Sequence, residues 1–241
     1  MTKTLSLRAK IEQSPMGAYQ WMIVVMAAIM NLLDGFDVLA LAFTATAIRG
    51  EFGLTGIELG YLLSAGLFGM TAGSLFLAPL ADKIGRRPLL LMAVSLSAIG
   101  MLGSAFISQY QWLGFWRVIT GLGVGGILVG TNVITSEYSS RKWRSFAISV
   151  YAAGFGIGAV LGGMFAVMLQ GEYGWRSVFL AGAILTGLLL VVLFIWLPES
   201  IDFLTSKQPK NAEVRLNLIA KKIGLAGDWK LPAKVEKVKS K

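Results

Sequence analysis

Three charged residues interrupt otherwise apolar sequence: Asp34 and Asp37 in the run after Trp21, and Arg117 in the run after Trp112. Charges within lipid-spanning segments are costly, and they usually face a cavity, a transport pathway or one another. The bland alternative is a buried pair that only fixes helix packing. Asp34 and Asp37 stand three residues apart, so both carboxylates share one helix face. Gly35 between them weakens the helix locally. Two neighbouring carboxylates in a low-dielectric site do not both ionise easily. Such a pair suits a proton carrier, which must load at one face of a membrane and release at the other.

The elements that position these residues are long uncharged runs. Of the 241 residues, 55% are hydrophobic and 15% charged, against about 25% charged in soluble domains. The charges cluster between apolar runs long enough to cross a bilayer as helices. We read six spans, at about 20–48, 57–80, 89–107, 111–135, 146–170 and 175–197. Period-two alternation is absent, which argues against a barrel. Residues 1–19 are a polar segment without a cleavable signal, 20–197 the membrane domain, and 198–241 a basic linker or tail. Within the tail, 211–223 reads as a short amphipathic helix at the membrane surface.

Helix rise places the three charges at similar depth. From Trp21 at one interface, Asp34 lies about 20 Å along the helix at about 1.5 Å per residue. Arg117, entering from the other face near Trp112, lies about 8 Å deep by the same rise. The spacing predicts that Arg117 faces the first span and meets Asp34, Asp37 or backbone carbonyls near Gly35.

Loop charge sets the orientation. All Lys and Arg except Arg49, Arg117 and Arg176 fall on the side of the amino terminus, including Lys83, Arg86 and Arg87 in one loop and Arg141, Lys142 and Arg144 in another. The positive-inside rule then puts both termini in the cytoplasm. It also accounts for the net charge of +9 without nucleic acid, since the cations flank apolar runs rather than line a groove-binding element. Cys and His are both absent, which excludes Ser–His or Cys–His nucleophilic pairs and HExxH metal sites. No cofactor or metal is expected. An aspartyl-protease reading needs an aspartate on each of two helices and a GxGD motif, and neither occurs. No enzymatic activity is expected.

Small residues mark close helix approaches. The fifth span carries Gly154, Gly158 and Gly162 at intervals of four, a ladder that lets a neighbouring backbone come near. The second span carries Gly66, Gly69 and Gly73, and the fourth Gly121, Gly123, Gly125 and Gly126. Simple packing explains most of them; together they suggest helices that rock.

Several motifs coincide in order along the chain. Residues 78–87, APLADKIGRR, resemble the signature loop of the major facilitator superfamily, with Asp82, Gly85, Arg86 and Arg87 in place and Ala78 where glycine is usual. Arg117 followed by Thr120, Gly121, Gly123 and Gly125 resembles that family's fourth-helix motif, with Thr120 where glutamine is frequent. The glycine ladder resembles its fifth-helix motif, with Ala159 at a frequent proline position. Glu137 to Arg144 resembles its E-x-x-P-x-x-x-R loop, with Ser140 replacing proline, and LPES at 197–200 resembles the end of helix six. Asp34-Gly35-Phe36-Asp37 looks like the D-G-x-D motif of the aromatic acid:proton symporters within that superfamily.

The resemblance implies an all-α membrane protein: the amino-terminal half of a twelve-helix fold, built as two inverted three-helix repeats. It implies proton-coupled uptake of a benzoate-like or hydroxybenzoate-like carboxylate across the inner membrane. Asp34, Asp37 and Arg117 would handle proton and substrate, and Asp82 and Arg86 would gate the cytoplasmic side. The expected partners are the acid, protons, the lipid bilayer, and a carboxy-terminal half or a second copy, the chain being read as truncated. The rival readings are a facilitator for a sugar, dicarboxylate or drug, and a non-transporting membrane protein. Faces meant for the absent half, especially on spans one, two, four and five, should be exposed to lipid or to each other.

Overall fold

The computed structural model describes residues 6–231; Lys3 and the lysines from Lys234 to Lys241 lie outside the described residues. Among these residues the order is α1 (Leu7–Gln13), α2 (Ala18–Phe52), α3 (Gly56–Ile84), α4 (Arg86–Ala105), α5 (Tyr110–Tyr138), α6 (Arg144–Tyr173), α7 (Trp175–Trp196), α8 (Ile201–Lys207) and α9 (Ala212–Ile223). The six helices from α2 to α7 are long and apolar enough to cross a membrane. Most run beyond the sequence-read spans by about a turn, because capping groups and loop contacts extend them past the hydrocarbon. The exceptions are α4, which starts early at Arg86 and ends at Ala105, and α7, which ends one residue short.

Breaks fall where the backbone chemistry demands them. Gly53 (φ 63°) ends α2 in the left-handed region, and Gly85 (φ 106°) and Gly174 (φ 77°) make the sharp α3–α4 and α6–α7 corners. Left-handed geometry is nearly free only for glycine. Thr55 caps α3 by accepting from the Glu58 N–H at 3.3 Å, while Glu58 Oε2 accepts from the Thr55 N–H at 2.8 Å. This reciprocal pair meets two donors that the helix itself leaves unsatisfied.

The packing maps onto itself when the first three spans are exchanged with the last three. Helix α3 lies along α5, and α2 lies along α6 in the equivalent way. The glycine ladders explain both contacts. A Cβ at Gly73 on α3 would strike the Leu122 carbonyl of α5, and one at Gly158 on α6 would strike the Leu32 carbonyl of α2. Lipid tails are as apolar as leucine, so close van der Waals fit drives such pairs. The arrangement is that of paired inverted repeats.

Burial divides the spans. Helices α3 and α6 are mostly exposed along their apolar windows, whereas α2 and α5 are mostly buried. Of the faces expected to lie open or against each other, those of the second and fifth spans are exposed, and the first and fourth spans meet each other. Helices α2 and α5 are the inner members of both pairs and also touch each other. Two apolar clusters fill the bundle: one holds Ile23, Met30, Tyr138 and Leu193, with Leu7, Ile11, Leu204 and Leu216 from the short helices; the other holds Phe36, Leu62, Met101, Leu113 and Phe179.

Candidate functional site

Arg117 projects from α5 into the packed core, where only 3% of its surface is exposed. It is oriented by five groups. Nη1 donates to the Asp37 backbone carbonyl at 3.2 Å. Nη2 reaches Ser104 Oγ at 3.2 Å, Thr120 Oγ1 at 3.0 Å and Met101 Sδ at 2.9 Å. The guanidinium lies 4.8 Å from the Phe179 ring centroid, a cation–π distance. Of the partners that the sequence left open for Arg117, the one present is a carbonyl beside Gly35 rather than a carboxylate oxygen. A buried guanidinium needs many acceptors because its donors cannot be removed by deprotonation.

Asp37 has its carboxyl a short distance away, 1% exposed. Ser97 of α4 donates to its Oδ2 at 2.5 Å, and its Oδ1 has no hydrogen-bond partner among the described residues. Gly182 of α7 leaves room there: a Cβ at that position would lie 3.4 Å from Asp37 Oδ1 and would collide with the Met101 methyl. Asp34, also 1% exposed, lies within electrostatic reach of Asp37 and of Tyr151 on α6, and its Oδ2 has no partner among the described residues. The structure thus brings Asp37 to Arg117, while Asp34 has no hydrogen bond to Arg117 among the described residues. Asn31, one turn before Asp34, donates to the Tyr151 carbonyl at 2.8 Å and ties this stretch of α2 to α6.

A cavity of about 30 Å³ touches both Asp37 and Arg117, with Leu62, Gly66 and Gly121 among its walls. That volume admits water, which needs roughly 10–15 Å³ on the same measure, and no organic acid. A larger cleft of about 680 Å³ lies along α5, with Asn132, Ser136 and Glu137 in its lining beside Tyr151 of α6, Arg8 of α1 and Asp202 of α8.

The loop residues singled out by sequence form a second cluster, at the end of the bundle that carries α1, α8 and α9. Asp82, largely exposed, pairs with Arg86 at 2.6 Å. Arg87 donates to the Phe194 carbonyl at 2.6 Å. The N-terminus of α4 is held by Glu199, whose Oε1 accepts from the N–H groups of Arg86 and Arg87 at 2.8 and 3.1 Å. A carboxylate suits that position, since the helix macrodipole is positive there. Glu137 and Arg144, read as one loop motif, are not brought together. Glu137 accepts from Ser200 Oγ and the Ile201 N–H, both at 2.8 Å, at the start of α8. Arg144 pairs with Glu12 of α1 at 2.6 Å, and Arg8 pairs with Asp202 of α8.

Sequence reasoning missed Ser97, Ser104, Met101 and Phe179 around the charged residues and Glu12 at the loops; it marked Glu199 within LPES but not its contact with the start of α4. For the serines a signal existed, three hydroxyls (Ser95, Ser97 and Ser104) in the apolar run of α4. Nothing in the order of residues says which helix they face.

Comparison with known proteins speaks to the family and the fold. The chain is 35% identical over 216 residues to the 4-hydroxybenzoate transporter PcaK of Pseudomonas putida, covering 90% of this chain and 48% of that protein. It is 36% identical over 204 residues to the gallate transporter of the same organism, covering 85% of this chain and 45% of the relative. The chain spans about half the length of these curated relatives. Among solved structures, the proton:xylose symporter XylE superposes with a TM-score of 0.76 at 22% identity, over 88% of this chain and 50% of its own; that likeness speaks for the fold. Relatives and structural neighbours alike are transporters rather than enzymes. Residues 27–232 match the Major Facilitator Superfamily, and with six apolar helices in that family's arrangement the chain is a multi-pass membrane protein that belongs to it.

Proposed function

We propose that this chain is the amino-terminal half of a proton-coupled symporter for an aromatic carboxylate of the hydroxybenzoate or gallate type. The observation that carries the reading is Asp37: its carboxyl is buried among the spanning helices, held by one hydroxyl, with Oδ1 unpartnered among the described residues, and the residue shares a water-sized cavity with Arg117. A carboxyl in that setting takes up and gives back one proton according to which side water reaches it. Asp34 would serve the same proton path. Arg117, locked to the Asp37 backbone, would sense that exchange and offer positive charge to an anionic substrate. The substrate class rests on the named relatives, hydroxybenzoate and gallate transporters.

In this reading the cleft along α5 is one wall of the substrate path, and a second six-helix half supplies the other. The exposed faces of α3 and α6 suit such a partner. Asp82, Gly85, Arg86 and Arg87 would form a gating loop, with Glu137 and Arg144 in the loop opposite. The basic end of the bundle would face the cytoplasm across the inner membrane, both termini inside.

The test is uptake of labelled 4-hydroxybenzoate into proteoliposomes holding this chain together with a carboxy-terminal half, with and without an imposed proton gradient. Gradient-driven accumulation is expected, and Asp37→Asn should abolish it while leaving substrate exchange. Equal uptake with and without the gradient would discard the proton-coupled reading.

A further inference from the structure

The corner where α4, α7 and α9 meet enters the transport reading only through Arg87, one residue of the proposed gating loop. A basic pocket of about 220 Å³ opens there, walled by Arg87 at the start of α4, Trp196 and Glu199 after α7, Arg215 and Lys222 of α9, and Tyr19 of α2. None of the three cations forms an ion pair among the described residues. The single lining carboxylate, Glu199, is already engaged by the N–H groups of Arg86, Arg87 and Ser200. Arg87 Nε has no hydrogen-bond partner among the described residues, and Lys222 Nζ lies 5.3 Å from the Tyr19 ring. Three cations face one carboxylate, so the pocket is net positive.

An apolar groove of about 700 Å³ leads from it between α4 and α7, lined by Leu96, Ile99, Leu190, Val191 and Phe194. Arg87 joins the two, since its guanidinium bonds the Phe194 carbonyl and lies 5.8 Å from the Phe194 ring. On α9, Arg215, Leu218 and Lys222 share one face at helical spacing. Leu218 and Val214 remain exposed next to the exposed Trp196. An amphipathic helix with such an edge sits at the boundary of headgroups and acyl chains. The groove is apolar, its end cationic, and the join lies at the membrane interface.

We propose that this corner binds an anionic phospholipid, its phosphate held by Arg87, Arg215 and Lys222 and one acyl chain lying in the α4–α7 groove. The charge complementarity selects an anionic over a zwitterionic headgroup, and the groove selects a lipid over a soluble phosphate. The bound lipid would staple α9 to the bundle. The inference needs membrane insertion only and does not rest on the proposed transport activity.

The test is native mass spectrometry of the purified chain in detergent, titrated with phosphatidylglycerol, phosphatidylcholine or glycerol 3-phosphate. Phosphatidylglycerol should bind about tenfold more tightly than phosphatidylcholine, and glycerol 3-phosphate should not bind in the same range. The double variant Arg215→Gln/Lys222→Gln should weaken phosphatidylglycerol about tenfold, since each interfacial cation contributes to anionic-lipid attraction. Ile99→Trp, which fills the groove and leaves the charges intact, should weaken it as well. Equal binding of the two lipids, glycerol 3-phosphate binding as tightly as lipid, or unchanged binding in either variant would overturn the proposal.

Discussion

Ser97 of α4 donates a hydrogen bond of 2.5 Å to Asp37 Oδ2 of α2, both side chains lying almost wholly inside the bundle. It is the hydrogen bond made by the Asp37 carboxyl among the described residues. Ser97→Ala should therefore destabilise the protein by about 1–3 kcal/mol, the cost of leaving a buried polar group unsatisfied. Thermal unfolding in detergent measures this, and a variant that melts with wild type would show that Asp37 finds another donor.

Arg117→Lys keeps the charge and loses the shape. A lysine ammonium is a compact point charge, whereas the guanidinium spreads its donors over a fixed fork. Here that fork spans the Asp37 carbonyl, Ser104, Thr120 and Met101. The variant should lose at least tenfold in transport rate of the reconstituted protein and should melt earlier. Full activity would show that charge alone is required.

Gly158 and Gly156 lie on the same helix and make a matched pair. A methyl at Gly158 meets the Leu32 backbone, while a methyl at Gly156 meets nothing within 4 Å. Gly158→Ala should destabilise by roughly 1–3 kcal/mol through overpacking. Gly156→Ala should be neutral or slightly stabilising, because alanine favours helix. Denaturant titration in mixed micelles compares the two directly.

The contact between α1 and α6 should depend on pH. The Arg144 hydrogen bond, aided by the charges of Arg144, Arg8 and Arg141, holds the Glu12 carboxyl below its ordinary value against a smaller burial effect. A lowered folded value means that the stabilisation is present above the unfolded value, about 4.3, and fades as pH falls through the folded one. Hydrogen exchange at the Arg141 amide, which donates to the Glu12 carbonyl at 3.0 Å, should lose protection below about pH 4. Glu12→Gln should remove that acid dependence.

Much of this protein was legible in one dimension. Span number follows from the length of uncharged runs, because a helix must cross about 30 Å of hydrocarbon. The gathering of basic loops at one end follows from their alternation along the chain. Asp34, Asp37 and Arg117 stood out because charge in such runs is rare. The glycine ladders marked the close approaches, and Gly73 and Gly158 do make them.

Partner choice was decided only in three dimensions. Asp34 and Asp37 share a helix face by spacing, yet Asp37 meets Ser97 and offers its carbonyl to Arg117, while Asp34 Oδ2 has no partner among the described residues. Rotation of α2 against α4, α5 and α6 sets this, and that rotation depends on how the glycine faces interlock. Glu137 and Arg144 are seven residues apart in sequence and bind α8 and α1 respectively. Hydropathy and spacing determine which residues share a helix and a depth in the membrane; the azimuth of each helix, fixed by close backbone packing, determines what each buried charge touches.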